Sequence, residues 1–205
     1  MAKVLVLESS ARLEGSFTRQ LTAEFIELLK AQDTPHEFSV RDLAHNPVPV
    51  LDSSTVGIIR TPGDQLTDEQ RQQIAISEEL VAELKAADFV VIGSAMYNWS
   101  ISASLKAWLD QVMRVGVTFG YADGGVKGLL NNKPALVILS RGGSYDAPER
   151  AAVDMQRPYL QNVLGVIGLD STFVTMEGSL MAEDICQNNL EKARAEIAAV
   201  AATLA

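Results

Sequence analysis

Short, uniformly apolar runs alternate along this chain with longer stretches in which apolar residues return every three or four positions. The runs are Val4-Leu5-Val6-Leu7, Phe89-Val90-Val91-Ile92-Gly93 and Ala135-Leu136-Val137-Ile138-Leu139. Apolar on both alternating faces, they predict strands covered from two sides. Weaker strands are expected around Phe38-Ser39-Val40 and Phe173-Val174. Between them, Phe17, Leu21, Phe25, Leu28 and Leu29 keep helical spacing behind Ser16. Thr67-Asp68-Glu69-Gln70 reads as a capping box that opens a helix running to about Ala87. Leu105, Trp108, Leu109 and Val112 mark the next helix, Met155 to Leu164 another, and Glu183 to Leu204 a closing one. Strands that alternate with helices imply right-handed βαβ units on a parallel sheet. The predicted fold is therefore α/β: a three-layer sandwich with a five-stranded parallel sheet in order 2-1-3-4-5 and helices on both faces. One domain over residues 1–205 accommodates it.

Two connections, Ala44 to Leu66 and Arg114 to Lys133, exceed what packing requires. Long ordered loops usually carry function or an interface, and apolar or aromatic residues on these two (Val48, Val50, Leu51, Phe119, Tyr121) would gain from burial against a partner.

Composition narrows the function more by exclusion. At 47% apolar and 21% charged, the chain can bury about 70% of its unfolded surface without a covalent staple. A formal net charge of −9 with no basic cluster argues against nucleic acid. Cys186 is the single cysteine, so no intrachain disulfide is expected, and with only His36 and His45 beside it no metal set is expected either. No apolar run approaches the roughly 20 residues of a membrane span. A cytoplasmic location is the expectation.

Ligands of open parallel sheets bind outside the carboxyl ends of the strands. Three small, polar stretches should stand there. Ser9 to Thr18 leads into a helix capped by Ser16, whose unpaired N–H groups suit a phosphate, with Ser10, Ser16 and Thr18 adding hydroxyls. Neither a G-x-G-x-x-G nor a G-x-x-x-x-G-K-[ST] motif is present, so a monophosphate fits better than a dinucleotide or a nucleoside triphosphate. Met96-Tyr97-Asn98-Trp99 follows the second apolar strand and suits a flat heteroaromatic ring. Ser140-Arg141-Gly142-Gly143-Ser144-Tyr145 follows the third, where paired glycines let backbone N–H groups approach a ligand closely. Each stretch has an ordinary reading as a helix cap, an edge plug or a turn; three together point to a site.

The same residues carry a resemblance. Lys3 to Leu7 with Ser9-Ser10, Gly15-Ser16-Phe17-Thr18, Pro47 to Asp52, Met96-Tyr97-Asn98-Trp99, Gly116-Val117-Thr118-Phe119 and Ser140-Arg141-Gly142-Gly143 together resemble the FMN-dependent NADH:azoreductase family, within the flavodoxin-like NAD(P)H:quinone reductases. The resemblance implies non-covalent FMN, NADH or NADPH as electron donor, a homodimer with sites at the interface, and ping-pong two-electron reduction of quinones and azo compounds. By position, Ser10, Ser16, Phe17 and Thr18 match its phosphate-binding residues. Met96, Tyr97, Asn98, Trp99, Ser140, Arg141, Gly142 and Gly143 match the ring and ribityl contacts. The main chain around Asn98, Gly142 and Gly143 would stabilise negative charge on reduced flavin. Tyr145-Asp146 stands where some relatives carry a histidine, and Tyr145 is the candidate proton donor, while Phe119 and Tyr121 are candidates for stacking on substrate or for packing a dimer interface. A non-enzymatic flavodoxin-type electron carrier would share fold and cofactor. A phosphorylatable receiver domain would need an acidic pair after the first strand, and a serine hydrolase a G-x-S-x-G elbow; the chain has neither.

Overall fold

The computed structural model describes residues 1–122 and 124–204. Strands β1 (Ala2–Glu8), β2 (His36–Asp42), β3 (Phe89–Ala95), β6 (Lys133–Ser140) and β7 (Leu169–Met176) form a parallel sheet in order β2-β1-β3-β6-β7. Counted among themselves these are strands 2-1-3-4-5, the expected order. The numbering is offset by an antiparallel hairpin, β4 (Phe119–Ala122) with β5 (Gly125–Gly128), inserted before the fourth sheet strand.

The apolar runs are explained by two cores, one on each face. Leu5, Leu7, Val90, Ile92, Val137 and Leu139 point to one side. There they meet α4 (Ala75–Ala86), α5 (Ala103–Val112) and α7 (Arg157–Ile167). Val4, Val6, Val91, Leu136, Ile138 and Val174 point to the other, against α1 (Phe17–Lys30) and α8 (Glu183–Ala202). Alternate side chains of one strand are thus buried on opposite faces, which is why the strands read as unbroken apolar runs.

Three features differ from expectation. The helix opened by the capping box does not run to Ala87 unbroken. The box itself forms, with Thr67 Oγ1 accepting from the Gln70 N–H and the Gln70 side chain accepting from the Thr67 N–H. Its helix, α3 (Asp68–Gln73), then ends at Ile74 (φ −109°, ψ 27°), where α4 begins. The break turns Ile74 into a small satellite core with Ile58, Ile59 and Leu66 beneath the first long loop. Tertiary burial of one side chain overrides local periodicity there. The two long loops also hold structure that periodicity did not show, namely α2 (Val56–Ile59) in the first and the β4–β5 hairpin in the second; α6 (Pro148–Ala151) is a further short helix. The helix expected from Met155 starts two residues later, at Arg157, with Pro158 in its first turn and Asp154 Oδ1 accepting from the N–H groups of Gln156 and Arg157.

Candidate functional site

All three expected loops emerge at the carboxyl edge of the sheet, and hydrogen bonds tie them to one another. Tyr97 Oη accepts from the Ala11 N–H at 3.0 Å and lies 3.4 Å from Ser10 Oγ, joining the second loop to the first. The Met96 N–H donates to the Ser140 carbonyl at 2.8 Å, joining the second to the third.

In the first loop Ser16 is the N-cap of α1, extended at φ −91°, ψ 119°, with its hydroxyl 3.1 Å from Thr18 Oγ1. Among the described residues the N–H groups of Phe17 and Thr18 donate to no protein acceptor. Phe17 turns its ring into the core shared by α1 and α8 and so offers its main chain alone. The loop is shaped by Arg19, whose guanidinium forks onto Asp42 at 2.7 and 2.8 Å and donates to the carbonyls of Ser10 and Arg12 at 2.9 and 3.0 Å. Every Arg19 nitrogen is thereby used within the protein. The Arg19 fork, with help from His45, holds the Asp42 carboxyl well below the usual carboxylate range. What remains for an anion is a helix N-terminus and a set of hydroxyls, with Arg12 on the exposed side of the loop reaching only the Gly15 carbonyl, at 3.5 Å.

The second loop is strained. Tyr97 and Ser100 exchange two backbone hydrogen bonds, 2.9 and 3.0 Å, around a two-residue turn. Both central residues, Asn98 (φ 48°) and Trp99 (φ 67°), lie in the left-handed region. Asparagine tolerates that conformation; tryptophan there costs about 1–2 kcal/mol. The cost is not offset by burial, since Trp99 is 55% exposed. Backbone strain kept at an exposed turn is characteristic of ligand sites. Its product is a pair of N–H groups, those of Asn98 and Trp99, that donate to no acceptor among the described residues.

The third loop repeats this theme by other means. The carbonyls of Arg141, Gly142 and Gly143 accept from Ser179, Leu180 and Gly178, which pins the loop from behind. The N–H groups of Gly142 and Gly143 are left without a protein acceptor among the described residues. The Arg141 side chain is not free to meet a ligand. It is 5% exposed and pairs with Asp154 at 2.7 Å, Glu177 at 3.1 Å and Gln156 Oε1 at 3.3 Å.

Three expected participants, Tyr145, Phe119 and Tyr121, stand apart from this arrangement. Tyr145 stacks on the Arg141 guanidinium, 5.2 Å from centroid, and lines a cavity of about 510 Å³ at the β7 edge with Asp154, Arg157 and Glu177. Tyr97 and Asn98 line a different cavity, of about 790 Å³, with Ala11, Ser102, Lys106 and Tyr159. Phe119 and Tyr121 pack edge to face in β4, 6.0 Å apart; Phe119 leans on the core, whereas Tyr121 is 73% exposed.

Comparison with known proteins gives the family and the fold. A family described as having a flavodoxin-like fold matches residues 2–201. An FMN-dependent NADH:quinone oxidoreductase of Azotobacter vinelandii is 46% identical over 98% of this chain and all of its own length. A Pseudomonas aeruginosa protein named FMN-dependent NADH:quinone oxidoreductase 3 is 44% identical over 95% of this chain and 90% of its own. The chain belongs to this flavodoxin-like family. In three dimensions the azoreductase of Bacillus anthracis str. Sterne superposes with a TM-score of 0.88 at 26% identity, over 98% of this chain and 99% of the other.

Within that flavodoxin-like frame, sequence reading missed the supporting residues. Gln156 bridges strand ends by donating to the Ser94 carbonyl at 2.9 Å while accepting from Arg141. Asp154 was detectable, as an acidic cap shortly before Pro158, but Arg19 and Asp42 carried no pattern because their pairing spans two elements. Glu8, the last residue of β1, was also passed over. It is 7% exposed, and burial pushes its carboxyl up to about 7, against an opposing pull from Arg19. Below that pH the folded protein holds a proton that the unfolded chain releases above about 4.5. Stability therefore falls as pH rises from about 4.5 to 7, by an amount on the order of 3 kcal/mol, and levels off above. Urea unfolding of the apoprotein across this range should show that decline, and Glu8→Gln should flatten it.

Proposed function

We propose that this chain is an FMN-dependent oxidoreductase that uses NADH or NADPH to reduce quinones by two electrons and to cleave aromatic azo compounds reductively. The observation that carries the reading is the strained Asn98-Trp99 turn, whose unpaired N–H groups stand at a strand end adjoining the equally unpaired Gly142 and Gly143. A flat ring rich in acceptor atoms satisfies such donors. The relatives at 44–46% identity are named for FMN, NADH and quinone.

The residues fit FMN at both ends. Ser10, Ser16, Thr18 and the first N–H groups of α1 would hold its phosphate without a covalent bond. The main chain of Met96 to Trp99 and of Ser140 to Gly143 would hold its ring. FMN, when bound, supplies hydride acceptance and two-electron donation. The protein's own contribution is positioning and charge: the N–H groups of Asn98, Gly142 and Gly143 are fixed donors for negative charge, rigid before any reaction begins. Tyr145, held against Arg141, is the candidate proton donor. Exposed apolar side chains, among them Val50, Trp99, Tyr121 and Met155, support a homodimer whose partner covers the site, with Phe119 and Tyr121 against substrate or at the interface. Sizing at low concentration should give twice the 22.1 kDa chain mass.

The deciding experiment is a visible spectrum of the protein reconstituted with FMN, followed by anaerobic NADH titration. The expected result is flavin bands that bleach in one two-electron step and return on addition of a benzoquinone, with parallel double-reciprocal plots for donor and acceptor. Bands that do not bleach with NADH or NADPH would favour a flavodoxin-type carrier. The double variant Ser16→Ala/Thr18→Val should lower FMN affinity by roughly 10- to 100-fold, since each hydroxyl bonded to a charged group contributes about 1 kcal/mol or more.

A further inference from the structure

Beneath the first loop lies a buried carboxyl that the functional reading above does not use. Glu8 ends β1 on the α1 side of the sheet, and room for it exists because position 93 is glycine. A Cβ built there would stand 2.9 Å from Glu8 Oε2, 3.2 Å from Thr22 Oγ1 and 3.5 Å from Thr18 Cβ. The carboxyl thus lies under the first turns of α1, beside the residue whose hydroxyl touches Ser16. Among the described residues Glu8 Oε2 has no hydrogen-bond partner, and neither does the neighbouring Thr22 hydroxyl.

The charged surroundings are few. Arg19 of α1 is committed to Asp42 of β2 and to two carbonyls, so this pair nearly cancels, and His45 adds its ring to Asp42. The Tyr97 phenol oxygen accepts from the Ala11 N–H, and Arg12, exposed on the loop, reaches only the Gly15 carbonyl, at 3.5 Å. The β3 neighbour, Gly93, carries no charge. Apart from Arg12, which is exposed to solvent, no unpaired cation among the described residues stands here to balance both an ionised Glu8 and an anion at the helix N-terminus above it.

Resting on the FMN reading, we propose that Glu8 belongs to the phosphate site as a proton-holding residue. The site accepts the phosphate dianion with Glu8 protonated, so FMN binding takes up a proton and weakens as pH rises past neutrality. Below about pH 7 burial keeps Glu8 neutral. Above it, the ionised carboxylate and the phosphate repel across a poorly screened interior. Replacing Glu8 by glutamine removes the charge and keeps the shape.

The test is the dissociation constant of FMN, from quenching of flavin fluorescence on the apoprotein, between pH 6 and 8.5 for the parent protein and Glu8→Gln. The second ionisation of the phosphate itself, near pH 6, appears in both and drops out of the comparison. Affinity of the parent should fall at least tenfold across the range, a fold-change expected of like charges within several ångströms. Glu8→Gln should stay nearly flat and bind more tightly than the parent at pH 8.5. Calorimetry in two buffers of different ionisation enthalpy should find proton uptake with the parent that the variant lacks. Parallel pH profiles and equal proton uptake would overturn the inference while leaving the flavin reading intact; absence of FMN binding by both proteins would overturn the two together. Should Glu8→Gln fail to fold, carboxyl NMR of the parent decides the matter: the Glu8 titration must move to higher pH on adding FMN, and an unmoved titration refutes the proposal.

Discussion

Arg141→Met is expected to lower the unfolding free energy by about 3–5 kcal/mol, the usual cost of removing one partner from a buried ion pair. Methionine matches the arginine stem in length but offers nothing to Asp154, Glu177 or Gln156. Two carboxylates would then remain unpaired where Arg141 and Asp154 are 5% and 8% exposed. Most of the loss comes from stranding those charges rather than from forfeiting attraction, which sets a signature. Adding Asp154→Asn to the variant should recover part of the stability, whereas Arg141→Lys, which keeps the charge but cannot fork to three acceptors, should fall between. Urea unfolding of the four proteins measures this. Because the carbonyls of residues 141–143 are pinned in the same region, FMN affinity should fall in parallel in Arg141→Met.

The second large effect is expected at a glycine far from that cluster. A Cβ on Gly128 would lie 2.4 Å from both the Cα and the N of Gly168 and 2.8 Å from the carbonyl carbon of Ile167. All three are backbone atoms, so no side chain can swing aside. Gly168, at φ 89°, closes α7, and the Leu130 N–H donates to the Ile167 carbonyl at this crossing. Gly128→Ala must therefore separate the β4–β5 hairpin from the end of α7, at a cost of about 3 kcal/mol, toward the upper end for overpacking. Gly120→Ala on the partner strand, where an added Cβ meets nothing within 4 Å, should change stability by less than about 0.5 kcal/mol. If the hairpin serves the acceptor through Phe119 and Tyr121, Gly128→Ala should raise the KM for quinone and leave the FMN dissociation constant unchanged, because none of the three loops at the sheet edge belongs to the hairpin. Thermal or urea unfolding and steady-state kinetics on the two alanine variants check both statements.

Much of this architecture is written in the order of residues. The three apolar runs became the three central strands because a strand covered on both faces needs apolar side chains at every position. Ser16 caps α1 and Thr67 opens its capping box as the local pattern predicts, since a cap is a contact across three residues of chain. The ligand loops followed from a topological rule together with small and polar residues at three strand ends. Their main-chain donors could not be read as unpaired, however, because whether an N–H finds an acceptor depends on what folds back upon it.

The chain by itself thus determined the sheet, its order, the covering helices and the neighbourhood of the site, all of which arise from periodicity and from contacts close in sequence. Only the tertiary structure decided that Ile74 breaks a continuous helical pattern to fill a satellite core. The same holds for the commitment of Arg19 and Arg141 to internal carboxylates across 23 and 13 positions of chain, and for the burial of Glu8 over Gly93 beneath the first loop. Charge placement depends on desolvation and on partners brought together by distant segments, and neither quantity exists until the chain has closed around them.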